Sequence, residues 1–267
     1  MKFALDHDYH IHSHLSLCSN DPEQSNDAIL TYAKAHRYRD ICLTDHYWDE
    51  KIDGASAFYR PQNTPHIMEA LPLPQDESVR FHFGCETDMD KHRRIGITPE
   101  TMEKMDFIII PTTHLHMSGF TIDECDFSLE RRRVQYIERW EALLAADLPF
   151  HKVGIAHLTC RLVAKMPPEA HLELFRDISD ATYRDLFRET AKRGAGVELN
   201  FPIEQYEGEA REIILRPYRI AKECGCRFYL GSDAHHPKEL AGAFARFEEI
   251  VSALELTEDD RFCPFVR

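Results

Sequence analysis

No run of 18 apolar residues, no CxxC pair, no internal repeat and no linker-like tract occurs in these 267 residues. The first absence leaves a membrane-spanning helix without support. Eight cysteines in a chain this long fall far below the density of a small disulfide scaffold, and Cys224 and Cys226 are separated by Gly225 alone. A reducing cytoplasm is the expected setting, since the opening MKFALDHDYHIHSH meets Asp6 and several histidines before any signal-peptide core forms. Positive charge is also short. The 32 Lys and Arg against 46 Asp and Glu leave a net charge of −14, which opposes a broad grip on nucleic-acid phosphates or docking on an anionic membrane. Neither GxGxxG at a strand-to-helix junction nor GxxxxGK[ST] is present, which disfavours the dinucleotide-binding and P-loop folds.

What remains is ample apolar material: 43% hydrophobic against 29% charged residues supports a sizeable globular core. The length fits two small domains or one large α/β barrel. Short apolar segments end repeatedly in polar chemistry: Ile41–Thr44 before Asp45 and His46, Phe107–Ile110 before Thr113 and His114, Val153–Ala156 before His157, Gly196–Leu199 before Asn200, and Phe228–Leu230 before Ser232 and Asp233. Between them, Asp27–His36, Leu129–Ala146, Thr182–Lys192 and Ala210–Glu223 carry helical spacing, with Gly194 and Gly225 as stops. On Leu129–Ala146 the apolar positions are Val134, Ile137, Leu143 and Leu144, with Arg and Glu between. This alternation predicts an α/β protein with a parallel sheet, closed as a barrel, whose strand ends would gather distant side chains on one rim. An open doubly wound sheet is the competing architecture. The Pro-bearing stretch Gly54–Val79 reads as an insertion, a lid over the mouth, or a surface loop within a single domain spanning 1–267.

The strongest local signal is Asp8-Tyr9-His10-Ile11-His12-Ser13-His14, because residues two apart on a strand share a face and can aim two imidazoles at one ion. Asp45, His46, Glu86, His114, His157, Asp233 and His235 add donors at matching junctions, and together they point to a multinuclear metal site. Each residue taken singly also fits a hydrogen-bonded polar strand end. The mixed nitrogen and oxygen donors suit Zn, Mn or Fe, in two or three divalent sites. Asp8 and Asp45 are candidates for orienting ligating imidazoles.

In their order along the chain, DYHIHSHLS at 8–16, LTDH at 43–46, GCE at 84–86, TH at 113–114, AH at 156–157 and GSDAH at 231–235 resemble the PHP family, named for its polymerase and histidinol phosphatase members. The resemblance implies a distorted (β/α)7 TIM-like barrel and a trinuclear site hydrolysing phosphate esters. It implies His10, His12, Glu86 and Asp233 around one ion, with Glu86 bridging to a second ion held by His114 and His157. His46 and His235 help hold a third. At the first-loop position where family members often carry Asp or His, this chain has Cys18 and then Asp21; either one, another side chain or water completes the third site.

For the substrate, Arg161 is the first candidate phosphate contact, with Arg93 and Arg94 behind it, and His14 is a candidate phosphate contact or proton donor ahead of His116 and His236. Cys42 and Cys85 fit the core better than the site; no oriented Cys–His pair involving these or Cys160 is identifiable, and Phe201, Tyr206 and Tyr218 fit core packing. The leading expectation is a metal-dependent phosphomonoesterase acting on a small phosphorylated alcohol, with L-histidinol phosphate the named candidate. A nucleotide or short-oligonucleotide phosphoesterase is the alternative, and a noncatalytic metal-binding protein the third class. No stable nucleic-acid or membrane partner is expected, and the sequence leaves the oligomeric state open.

Overall fold

The computed structural model describes residues 1–123, 128–165 and 167–265. Among these, nine strands form two parallel sheets: β1 (His7–Ile11), β2 (Asp40–Leu43) and β4 (Arg80–Phe83) in one, and β3 (His46–Tyr47), β5 (Cys85–Thr87), β6 (Ile108–Pro111), β7 (Val153–Ala156), β8 (Gly196–Leu199) and β9 (Arg227–Leu230) in the other. Thr44 and Asp45 alone separate β2 from β3, and Gly84 alone separates β4 from β5, so the strands occupy seven positions. After β9 the chain returns to β1: Asp233 N–H donates to His10 O at 2.7 Å and His12 N–H to Ala234 O at 3.1 Å. That closure decides against an open sheet and gives the expected distorted (β/α)7 barrel.

Helices α1 (Asn26–Ala35), α2 (Thr64–Ile67), α3 (Pro99–Lys104), α4 (Leu129–Ala145), α5 (Ala170–Arg176), α6 (Asp180–Arg193), α7 (Gly208–Glu223) and α8 (Pro237–Ala253) lie between or after the strands. Ser25, Ser128 and Ser179 cap α1, α4 and α6 by accepting from backbone N–H groups in the first turn. Gly194 ends α6 at φ 81°, a left-handed conformation in which a Cβ would be strained. No helix among the described residues is long and apolar enough to cross a membrane.

Alternation along the strands builds two apolar layers. Ile108 and Ile110 face the large cluster under the helices, whereas Phe107 and Ile109 join Tyr9, Cys42, Ala156, Tyr229 and Phe262 on the barrel axis. A Cβ at Gly154 would collide with Tyr229 Oη and Phe107 Cζ, so glycine there lets these large rings fill the axis. Phe262 packs against Gly196, the first residue of β8. Pairing of β1 with β2 slips by one residue between Asp8 and Ile11. This bulge explains how Tyr9 enters the axial cluster while His10 and His12 turn together toward the site.

The helix α4 buries Leu143 and Leu144 as expected, but the rest of its buried face is shifted. Val134 and Ile137 are only half-buried, while Tyr136, Arg139, Trp140 and Leu143 are buried. The face rotates because Arg139 finds acceptors inside, donating to Met89 O at 2.7 Å and Asp88 Oδ1 at 2.8 Å. Residues 54–79 contain α2 and anchor Tyr59, Gln62, Ile67, Ala70 and Leu73 in buried positions. Cys42 and Cys85 are buried, as are Phe201, Tyr206 and Tyr218.

Candidate metal centre

Because all strands are parallel, their carboxyl ends share one rim, and side chains from β1, β3, β5, β6, β7 and β9 converge there. Three sets of donor atoms each lie within 4.8 Å of one another: His10, His12, Glu86 and Asp233; Glu86, His114 and His157; and His12, His46 and His235. Asp233 Oδ1 stands 3.3 Å from His10 Nε2 and 3.1 Å from His12 Nε2. Glu86 divides its carboxylate between sets. Its Oε2 lies 3.4 Å from His12 Nε2 and 2.9 Å from His46 Nδ1, whereas Oε1 lies 3.3 Å from His157 Nε2.

The tautomers implied by the hydrogen bonds make these imidazoles donors to an ion. His10 Nδ1 meets Glu198 Oε1 at 2.5 Å, His12 Nδ1 meets Ser16 Oγ at 3.0 Å, and His114 Nδ1 meets Asp88 Oδ2 at 3.0 Å. Likewise His157 Nδ1 meets Thr113 Oγ1 at 2.9 Å and His235 Nδ1 meets Asp233 O at 2.8 Å. With the proton on Nδ1, each Nε2 carries a lone pair. The Nε2 atoms of His10 and His12 then face one another at 3.0 Å, an arrangement that repels unless a cation or a proton lies between them. The residues therefore fit divalent cations.

The titration shifts agree with that field. Burial opposes charge on His12, but its hydrogen bonds to the Asp233 and Glu86 carboxylates outweigh it and raise the pKa to about 9. Burial likewise works against the charge of Glu86, yet His46 and His10 hold its carboxyl well below the usual range. A cation entering at neutral pH thus replaces a proton held by the same carboxylates.

Several supports escaped the sequence reading. Glu198, inside β8, holds His10 through Oε1 and accepts from His157 N–H through Oε2 at 2.6 Å. It links members of two donor sets and steadies His157 at φ 30°, a backbone conformation that needs such support. A Cβ at Gly231 would collide with Glu198 Oε1 and His10 Cβ. The available signal was a carboxylate inside an otherwise apolar parallel strand. Asp88 orients His114 and is itself met by Arg139. Asp45 accepts from Ser16 Oγ at 2.7 Å, so it orients His12 through that hydroxyl, and Asp8 accepts from Ser232 N–H at 2.9 Å. Glu198→Gln is expected to weaken metal retention about 10–100-fold, the usual cost of losing an outer partner of a ligand; metal content after dialysis against graded chelator checks this.

The donor sets form the base of a cavity of about 390 Å³, walled by Cys18, Phe58, Tyr59, His116, Met117 and Leu162. Cys18 lines this space but belongs to none of the three converging sets. Asp21 turns away to His236 Nδ1 at 3.0 Å, which also occupies His236. His14, Arg161, Arg93 and Arg94 are not among the residues lining this cavity. The strand stops at Ile11, so His14 lies beyond the alternation, exposed, with its N–H donating to Gln24 O. Arg161 is exposed and donates to Pro168 O at 3.1 Å. Arg93 engages Gln135 and Glu138, and Arg94 engages Asp90. Burial first of all lowers the pKa of His116 to about 3, so it faces the cavity as a neutral ring rather than an acid.

No family model matches the sequence, and no curated protein matches it. Solved structures do match. A histidinol phosphate phosphatase from Lactococcus lactis, complexed with zinc, L-histidinol and phosphate, aligns over 93% of both chains with 18% identity and a TM-score of 0.61. A candidate histidinol phosphatase from Listeria monocytogenes aligns over 90% of this chain and 99% of its own, with 15% identity and a TM-score of 0.62. The chain thus has the fold of these phosphatases, the barrel that the PHP resemblance implied.

Proposed function

We propose that this protein is a metal-dependent phosphomonoesterase acting on a small phosphorylated alcohol, with L-histidinol phosphate the named candidate. The observation that carries the reading is Glu86, whose two oxygens face separate imidazole sets at the base of one substrate-sized cavity. His10, His12 and Asp233 would hold one ion with Glu86, His114 and His157 a second, and His12, His46 and His235 would supply donors for a third. When bound, divalent cations neutralise phosphoryl oxygens and lower the pKa of coordinated water. Zn, Mn and Fe suit this donor set.

The residues of the chain then have separate tasks. Glu198, Ser16, Asp88 and Thr113 keep the imidazole protons on Nδ1 and the Nε2 lone pairs toward the substrate end. Among the described residues no Lys or Arg lines the cavity, so the charge of a phosphate would be met by ions that the donor sets would hold. Hydrolysis adds water at phosphorus and breaks the P–O bond to the alcohol, releasing inorganic phosphate and the protonated alcohol. We read residues 1–267 as one catalytic unit, with 54–79 an insertion that walls the cavity through Phe58 and Tyr59. The unpaired state of the seven described cysteines supports a reducing, cytoplasmic setting; Cys125 lies outside the described residues.

The test is phosphate release by protein of measured metal content from L-histidinol phosphate, a nucleoside monophosphate and a short oligonucleotide. Turnover led by L-histidinol phosphate is expected. A lead by either nucleotide substrate replaces the named substrate, and no release from any of them at full metal occupancy overturns the phosphatase reading.

A further inference from the structure

The wall of the cavity has a different chemistry from its base. Glu86 and Asp233 are the only carboxylates that line it among the described residues, and both belong to the donor sets. The same cavity is lined by Phe58, Met117 and Leu162, all half-buried, with Tyr59 fully buried beside Phe58. Phe58 meets Tyr59 edge-on at 5.1 Å and His46 edge-on at 5.3 Å. Behind them, Tyr59 packs with Trp48 and Phe120, and Phe58 and Met117 rest on this cluster. The apolar surface is therefore held in place before any ligand arrives, and it begins at His46, one of the donors.

From this juxtaposition we infer that Phe58, Met117 and Leu162 determine specificity by receiving an uncharged, ring-bearing leaving group, so that the favoured substrates are monophosphates of apolar or aromatic alcohols. The inference rests on the phosphatase reading and deepens it. The phosphate, with two negative charges, belongs with the cation-holding base, which leaves the organic part against the wall. An uncharged ring there gains from loss of water and from edge contacts with Phe58. A polyhydroxylated or cationic group would lose hydrogen bonds to water and, among the described residues, meet on this side the His116 ring and the Cys18 thiol but no charged acceptor. L-Histidinol phosphate offers a ring to the wall, while its ammonium group finds no carboxylate there among the described residues.

The experiment compares kcat/KM for benzyl phosphate and glycerol 3-phosphate, using metal-quantified protein and its Phe58→Ala and Leu162→Ser variants. The parent is expected to favour benzyl phosphate at least about 10-fold, and each variant to shrink that ratio several-fold, mainly through KM, the scale on which apolar pocket contacts discriminate. Two variants at separate points of the wall, each checked for parental metal content and melting temperature, separate loss of recognition from loss of folding. Equal kcat/KM for the two substrates in the parent, or an unchanged ratio in both variants, overturns the inference and leaves the phosphatase reading standing. Turnover of neither substrate by protein that releases phosphate from L-histidinol phosphate overturns the inference alone, whereas release from none of the three at full metal occupancy removes the phosphatase reading with it.

Discussion

Glu86→Gln is expected to yield a folded barrel that has lost at least one bound metal and more than about 100-fold of its phosphatase turnover, since loss of outer partners alone already costs about 10–100-fold. The change keeps the shape of the side chain and removes its charge. Glu86 is fully surrounded: His10, His12, His46 and His157 all approach within 3.6 Å of its oxygens. A carboxylate presents lone pairs to both imidazole sets, whereas an amide offers one acceptor oxygen and one NH2 group, and that donor would point at an imidazole nitrogen already in need of a cation. The two sets would no longer share a charge. Metal stoichiometry by mass spectrometry, alongside turnover at saturating metal, checks the result. Parental activity once occupancy is restored would sink the bridging role.

Arg139→Met is expected to destabilise the fold by about 3–5 kcal/mol, the range for removing one partner of a buried ion pair. Arg139 and Asp88 are both fully buried at 2.8 Å, and the guanidinium also binds Met89 O. Its loss leaves Asp88 with Met89 N–H, Tyr59 Oη and His114 Nδ1 as partners but without its compensating cation. His114 would then be the nearest group able to share that charge, so the damage should reach the metal set as well as stability. Chemical denaturation of the metal-free and metal-loaded forms measures both. Asp88→Asn combined with Arg139→Met should recover part of the loss, because the uncompensated charge is gone. A single variant within 1 kcal/mol of the parent would contradict the assigned role of the pair.

Much of the site was legible because parallel strands impose a rule on sequence: an apolar run followed by a polar residue delivers that residue to a common rim. His114, His157 and Asp233 follow their strands in this way, and His10 and His12 sit two apart on the first. The glycine stop of α6 was equally local. The candidate substrate contacts fall outside that rule: Arg161 stands four residues past His157 and donates to Pro168 O, and His14 follows the histidine strand after the strand has ended. Proximity in sequence to a ligand says little once the chain leaves the regular element that sets side-chain direction.

The helix α4 shows the same division. Its periodicity gave its extent, yet the buried face includes an arginine, because the carboxylate that accepts it comes from Asp88, 51 positions away. By itself the sequence determined the alternation of elements, the closure-compatible set of strands and the donors at their ends, since these depend on period and local turn chemistry. Only the tertiary structure decided which donors share an ion-sized space, that Glu198 and Asp88 hold the imidazoles from behind, and that Phe58, Met117 and Leu162 line the same cavity. Those relations join residues from different strands and loops, and a distance between two side chains so far apart in the chain exists only after the barrel has closed.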